Sequence, residues 1–324
     1  MTGGTGFVGS HLVERLLELG VGVRCLVRVS SSLRYLPGAS VEVCYGDLAT
    51  GAGLREALAG VETVFHVAGV TKASSSREYY QGNALATENL LRACADGGGQ
   101  QPRFVHVSSL AAVGPSPDAG PLKEDAEPRP VTHYGRSKLA AERAVRQSGL
   151  AASAVIVRPP VVYGPRDADV YQVLRSVAKG FMLRIGHAES FFSLIYVKDL
   201  AEALVAAANS PHAPGGTFFA ANPEPVSWTQ FGALAGNVLG RKVRTVSVPA
   251  AAAYALGWMA EVGSRMRGKP GILSREKVRE AGCRYWVCDA GKARRELGFS
   301  ASHSLREGLN ETLLWYKNAG WLAS

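Results

Sequence analysis

Along the first half of the chain, short apolar runs with strand character recur at 21–27, 41–45, 62–66, 103–107 and 153–157. Between them lie segments with the three-to-four-residue spacing of amphipathic helices, near 9–19, 51–59, 78–95 and 133–148. This alternation predicts an α/β fold built on a parallel, doubly wound sheet with right-handed crossovers of ordinary length. In the first helix Leu12, Val13, Leu16 and Leu17 form the stripe to be buried. Gly20 ends that helix, and Val21, Val23, Cys25 and Val27 alternate as the next strand should. Past about residue 165 the regularity gives way to Gly/Pro-rich turns, short strands and helices. The expected division is therefore a core over 1–165 and a smaller lobe over 166–324, with a segment near 190–210 returning to the core. A lobe so placed packs over the carboxyl ends of the strands, where ligands of such sheets bind.

The run TGGTGFVGSHLVERLLELG, from Thr2, carries glycines at positions 3, 6 and 9 into the first helix. It reads as the phosphate loop of a Rossmann-type dinucleotide site. Gly3 permits the tight turn, Gly6 lets the backbone approach a pyrophosphate, and Gly9 allows close packing beneath a helix N-terminus that attracts the anion. Only Met1 precedes this loop, where a strand of roughly five apolar residues belongs. The first strand therefore reads as truncated by a shortened or misassigned start, or else as very short.

Composition narrows the class. The chain has 324 residues, 47% of them hydrophobic, and neither a long apolar run nor a signal peptide, which predicts a soluble, cytoplasmic protein. Five cysteines, at 25, 44, 94, 283 and 288, are odd in number and lack metal-ligand spacing, so free or buried thiols are expected. A net charge of +9 is spread over scattered basic residues without an aromatic-plus-basic motif, which argues against nucleic acid. Attraction to an anionic cofactor or a membrane surface accounts for it equally well. His66, His106, His133 and His187 lack the spacing and carboxylate partners of a zinc site, so no metal is expected.

Tyr134 and Lys138 stand four apart in THYGRSKLAAERAV, which puts phenol and ammonium on one face of a helix. A neighbouring ammonium favours phenolate, and so is expected to draw the Tyr134 pKa down towards the working pH and make a proton donor of it. The spacing alone does not decide the matter; the ordered motifs around it do.

These motifs resemble the extended short-chain dehydrogenase/reductases, also called NAD-dependent epimerase/dehydratases, over nearly the whole chain. Besides TGGTGFVG and YGRSK, the likeness includes GDL at 46–48, HVAG at 66–69, VHVSSLAAVG at 105–114, RPPVVYGPRD at 158–167 and IYVKDLAEAL at 195–204. The resemblance implies a catalytic set of Ser109, Tyr134 and Lys138. It places Thr5, Phe7, Val8 and Pro160 in the cofactor site with the loop glycines, Asp47 and Leu48 at the adenine, and Ala68 and Gly69 beside the cofactor backbone. Asn83 would support a water network, Lys138 would reach the nicotinamide ribose, and Ser108 is a further candidate. It also implies a homodimer formed through the helices at 78–95 and 133–148.

The second strand ends at Arg28, where an NAD-selective site needs a carboxylate for the ribose. With Ser30, Ser31 and Ser32 after it, a cation and hydroxyls suit a 2′-phosphate, so NADP(H) is favoured over NAD(H). Val161 and Phe192 stand where nucleotide-sugar members carry Asn and a phosphate-gripping Arg, and an apolar side chain cannot clamp a diphosphate. RPPVVYGP resembles instead the dihydroflavonol reductase and 3β-hydroxysteroid dehydrogenase branches. The expectation is thus a carbonyl reductase or alcohol dehydrogenase on a hydrophobic, non-nucleotide small molecule. The alternatives are a nucleotide-sugar epimerase or dehydratase with retained NAD, and a non-enzymatic redox sensor. In the segment from Val248, Tyr254, Leu256, Trp258 and Met259 precede Arg265, Arg267 and Lys269. A helix packed over the substrate cleft is preferred there to a membrane contact. Lys198 and Asp199 read as a helix start, with Asp199 as cap, and Asp289 as a structural residue of the lobe.

Overall fold

In the computed structural model, which describes residues 1–97, 101–267 and 274–322, the first half folds as strands and helices in alternation. The strands are β1 (Val23–Val27), β2 (Val41–Tyr45), β3 (Thr63–His66), β4 (Arg103–Val107) and β5 (Val155–Arg158). The helices are α1 (Phe7–Glu18), α2 (Leu54–Leu58), α3 (Ser76–Tyr80), α4 (Ala86–Asp96) and α5 (His133–Gln147). A π-helical turn, Gln81–Leu85, joins α3 to α4. Several boundaries differ from expectation, two of them because of glycines. Val21 stays 45% exposed beside the left-handed Gly20, so β1 starts at Val23. Gly51 and Gly53 take φ of +82° and +73°, which a helix cannot accommodate, so α2 begins only at Leu54.

In the second half come β6 (Val161–Tyr163), α6 (Ala168–Ala178), β7 (Phe181–Ile185), β8 (Phe191–Phe192), β9 (Leu194–Tyr196) and α7 (Val197–Asn209). They are followed by β10 (Thr217–Phe219), β11 (Val226–Ser227), α8 (Trp228–Val238), β12 (Arg244–Val248), α9 (Ala250–Arg267), α10 (Arg275–Gly282), β13 (Tyr285–Trp286) and α11 (Leu305–Asn318).

The main sheet is parallel in the order β2–β1, then Thr2, then β3–β4–β5–β10. Thr2 alone holds the central position, bridging Leu26 on one side and His66 on the other. Its N–H donates to the Phe65 carbonyl at 3.0 Å, and the Met1 carbonyl accepts from Leu26 at 2.9 Å. Beside Met1 a void of about 20 Å³ is lined by Leu26, Leu54, Leu58, Val64 and Leu90.

Both faces of the sheet are covered. On one, Leu12, Val13 and Leu16 of α1 meet Leu200, Ala203, Leu204 and Ala207 of α7 and the inward residues of β1, all buried. Each large aliphatic side chain so buried contributes about 1.5–3 kcal/mol. On the other face Leu54, Leu90, Leu91 and Val145 pack on Val64, Phe104 and Ile156. A separate core of the second half gathers Tyr163, Leu174, Met182, Tyr196, Phe231 and Tyr316.

Asp199 is not a cap. It lies within the first turn of α7, buried, and accepts from Ser302 and from the His303 backbone and ring, tying α7 to the chain before α11. Lys198 pairs with Glu311 at 2.6 Å, and Asp289 accepts from Gly291 N–H at 2.7 Å.

Candidate active site

The glycine loop is shaped by contact. Gly3 has φ of +73°, and a Cβ there would stand 2.6 Å from the Ala68 nitrogen. At Gly9 a Cβ would reach 2.0 Å from the Gly3 carbonyl oxygen, so only glycine lets α1 pack against its own turn. Gly6 donates to the Gly3 carbonyl at 3.0 Å, and no side chain caps α1. The helix therefore begins with unpartnered N–H groups where Thr5, Gly6, Phe7 and Val8 border the main cavity.

The helix carrying Tyr134 and Lys138 is set against the Ser109 turn by Gly135, whose Cβ would stand 2.2 Å from the Ala111 carbonyl oxygen. Thr132 caps that helix by accepting from Gly135 N–H at 3.1 Å. Ser109 caps the turn Leu110–Ala112, accepting from Ala111 N–H at 3.1 Å, and still borders the cavity. Its hydroxyl also shares a hydrogen bond with the Tyr134 phenol, so both groups face one point of the cavity. Lys138 is buried and donates to the Val107 carbonyl at 2.6 Å; burial lowers its pKa to about 8. Tyr134 departs from expectation. Burial pushes the phenol up, against a lowering hydrogen bond with Ser109, and the charges of Lys277 and Glu280 act on it in opposite directions. In the absence of ligand the desolvation of phenolate outweighs the charge the sequence offered.

One cavity of about 1270 Å³ collects these groups. Gly3, Thr5, Gly6, Phe7, Val8, Arg28, Asp47, Leu48, Ala68, Gly69, Ser108, Ser109, Tyr134, Lys138 and Pro160 all border it. Its far end is walled by Val161, Leu183, Ile185, Phe192, Trp228, Phe231 and Trp286, with Ala253 and Leu256 of α9. Phe192 is 8% exposed and packs edge-on against Trp228 and Phe231. Tyr254, Trp258 and Met259 point away and are about half exposed, at 44%, 53% and 53%. The side chains of Arg265 and Arg267, and Lys269 entirely, lie outside the described residues. Among the described residues no helix is long and apolar enough to cross a membrane.

The sequence profile described as "NAD dependent epimerase/dehydratase family" matches residues 1–220. The chain belongs to this family. It is similar to the ceramide reductase of Caulobacter vibrioides, at 31% identity over 99% of this chain and 95% of that one. It is also 30% identical to the 4-hydroxy-2-methyl-3-oxo-4-farnesyl-3,4-dihydroquinoline-1-oxide ketoreductase of Stigmatella aurantiaca, over 96% and 94% of the two chains. The UDP-glucuronic acid 4-epimerase of Bacillus cereus, solved in complex with NAD, superposes with a TM-score of 0.78 over 98% of each chain. At 20% identity that likeness shows the shared Rossmann-like fold. The protein is an oxidoreductase of the extended short-chain dehydrogenase/reductase class, whose cofactor is NAD(P).

Several residues that position this site escaped the sequence reading. Glu142, one turn after Lys138, is fully buried and holds Arg158 through two contacts, at 2.8 and 2.7 Å. It also accepts from the Ser108 hydroxyl at 2.6 Å, which turns Ser108 towards the core. The Lys-to-Glu spacing in KLAAE was its one local signal. Asn89 holds the loop after Asp47, donating to the Leu48 carbonyl at 2.9 Å. Asn83 is set behind the cavity wall. It donates to Ser137 at 2.8 Å and exchanges hydrogen bonds with the Val70 backbone at 2.7 and 3.0 Å.

His66 hydrogen-bonds Thr2 at 2.8 Å and Thr87 at 2.9 Å, and burial lowers its pKa to about 3. Its neighbour His106, with both ring nitrogens buried and unbonded, is likewise held neutral. Below the ordinary histidine value of 6.5 the unfolded chain takes up protons that the native state refuses, so stability falls as pH falls. The expected slope from His66 is about 1.4 kcal/mol per pH unit. Urea titrations between about pH 6.5 and 5 should show His66→Gln losing close to one proton of this dependence, and an unchanged slope would contradict the assignment.

Proposed function

We propose that this protein reduces a ketone, or oxidises the corresponding secondary alcohol, on a hydrophobic non-nucleotide substrate. The observation that carries this is the meeting of Ser109, Tyr134 and Lys138 with an apolar wall in one cavity. The two relatives just named are reductases, one acting on ceramide and one on a farnesyl-bearing quinoline. The glycine cradle fits a dinucleotide: a Cβ would clash with backbone at Gly3 and Gly9 and crowd the Gly3 carbonyl at Gly6, and Gly3, Gly6 and Gly9 all border the cavity.

The cofactor supplies the hydride. Ser109 donates its hydroxyl proton to the substrate oxygen and stabilises the negative charge that develops there. Tyr134 gives that oxygen its proton, a role suited to a phenol that burial keeps protonated at neutral pH. Lys138, anchored on Val107, has donors left for the cofactor ribose. Phe192 and Val161 offer no grip on a nucleotide diphosphate, which weighs against a sugar-nucleotide epimerase. A screen of NADPH oxidation over aromatic, steroidal, long-chain acyl and sugar-nucleotide carbonyls tests the reading. Turnover of nucleotide sugars alone would refute it.

The favoured cofactor is NADP(H), since exposed Arg28 borders the cavity with Ser31 and can meet a 2′-phosphate. Arg28→Ala is expected to raise KM for NADPH about tenfold, the effect of some 1.4 kcal/mol, with a smaller change for NADH. A wild-type preference for NADH would remove the claim.

A further inference from the structure

Helix α10 enters the cavity beside Tyr134 with an ion pair that the chemistry above does not use. Glu276 accepts from the His133 N–H at 2.7 Å, so a carboxylate joins the Thr132 cap at the N-terminus of the helix that carries Tyr134. The Trp286 indole donates to the Glu280 carbonyl at 2.9 Å and holds the other end of α10. Between these anchors Val278 is buried, while Lys277 and Glu280 border the cavity and pair at 3.0 Å.

The surroundings make this pair unusual. Val161, Leu256, Ala281 and Trp286 border the same cavity, and its other flanking cations at this end, Lys72 and Arg184, are bound to Asp169 and Glu189. Lys277 has three N–H donors and Glu280 takes one, and the side chain is 46% exposed. The Glu276–His133 contact lies one residue from Lys277 and one from Tyr134 and brings both to the same cavity wall, where the phenol marks the place of the reacting oxygen. An acceptor on the substrate could therefore meet Lys277 only if it were carried within a few bonds of the reacting carbon.

We propose that Lys277 is a specificity-determining residue whose ammonium takes the oxygen of an amide, ester or carboxylate flanking the reacting ketone. The substrate class is then an apolar-chain ketone with an adjacent acyl group, as in β-keto esters and β-keto amides. This rests on the reductase reading above. Glu280 keeps Lys277 charged and aimed, and its carboxylate disfavours a substrate without a polar group at that point.

The test compares a medium-chain β-keto ester with the methyl ketone of matched chain length, in wild type, Lys277→Met and Lys277→Arg. The ratio of kcat/KM for keto ester over plain ketone should fall about tenfold or more in Lys277→Met, the effect of one charge-assisted hydrogen bond. It should largely recover in Lys277→Arg, which keeps the charge and the donors. An unchanged ratio, or equal loss on both ketones, would overturn the proposal. If wild type reduced neither ketone, the reductase reading would fall. Calorimetric titration of the same two probes would still separate the claims: binding of the keto ester weakened tenfold by Lys277→Met supports the role of Lys277, and equal binding refutes it.

Discussion

Tyr134→Phe is expected to lower kcat for ketone reduction by roughly 100- to 10,000-fold, the usual share of a positioned general acid. The phenylalanine keeps the ring, so its packing against Tyr79, with centroids 6.2 Å apart, survives and the fold should be unchanged. Cofactor affinity should change little, because Lys138 keeps its own anchor on Val107. The loss should therefore appear in kcat rather than in nucleotide binding. The pH profile supplies a second readout. Burial raises the Tyr134 pKa, so wild-type reduction should hold steady through neutral pH and fall only in alkali. The reverse oxidation needs the phenolate and should rise over the same range. Full activity in Tyr134→Phe, as seen by NADPH oxidation with circular dichroism as the control for folding, would remove Tyr134 from the mechanism.

Glu142→Leu is expected to cost about 3–5 kcal/mol of stability, the range for breaking a buried ion pair by removing one partner. Arg158 is 2% exposed and Glu142 fully buried, so the guanidinium would be left without its carboxylate in a site that water cannot reach. The Ser108 hydroxyl would lose its acceptor as well. The double variant Glu142→Leu/Arg158→Met should regain most of the loss, because two apolar side chains can fill the space without any charge to compensate. Denaturant unfolding of wild type, Glu142→Leu, Arg158→Met and the double variant gives the coupling directly. A single variant as stable as wild type would show that the pair contributes nothing. Activity should follow, since Glu142 shares the Lys138 helix and holds the residue next to Ser109.

Most of the core was legible in the sequence because its signals are local. The stripe of α1, the spacing of glycines 3, 6 and 9, and the alternation along β1 each lie within one turn or one strand, where periodicity reports directly on burial. The boundary errors at Val21 and at residues 51–53 came from glycines whose left-handed conformation a periodic pattern does not display. The candidate site residues were named from their motifs, and the fold sets them along one cavity. Asn83 is the exception in placement, behind the cavity wall rather than on it.

What stayed hidden depends on segments that the fold brings together. Gly135 reads as an ordinary helix residue until the Ala111 carbonyl is seen against it. The Glu142–Arg158 clamp joins a helix to a strand, and α10, late in the chain, meets the Tyr134 helix through Glu276 and His133.

The pair Tyr134 and Lys138 shows the division most plainly. By itself the sequence determined their shared helix face and the residue types needed for proton transfer, because helical spacing is a local property. Only the tertiary structure decided how they titrate, since desolvation depends on every segment packed around them. It half-buried the phenol and buried the ammonium, raised the first and lowered the second to about 8, and set the ion pair Lys277–Glu280 on the same cavity wall.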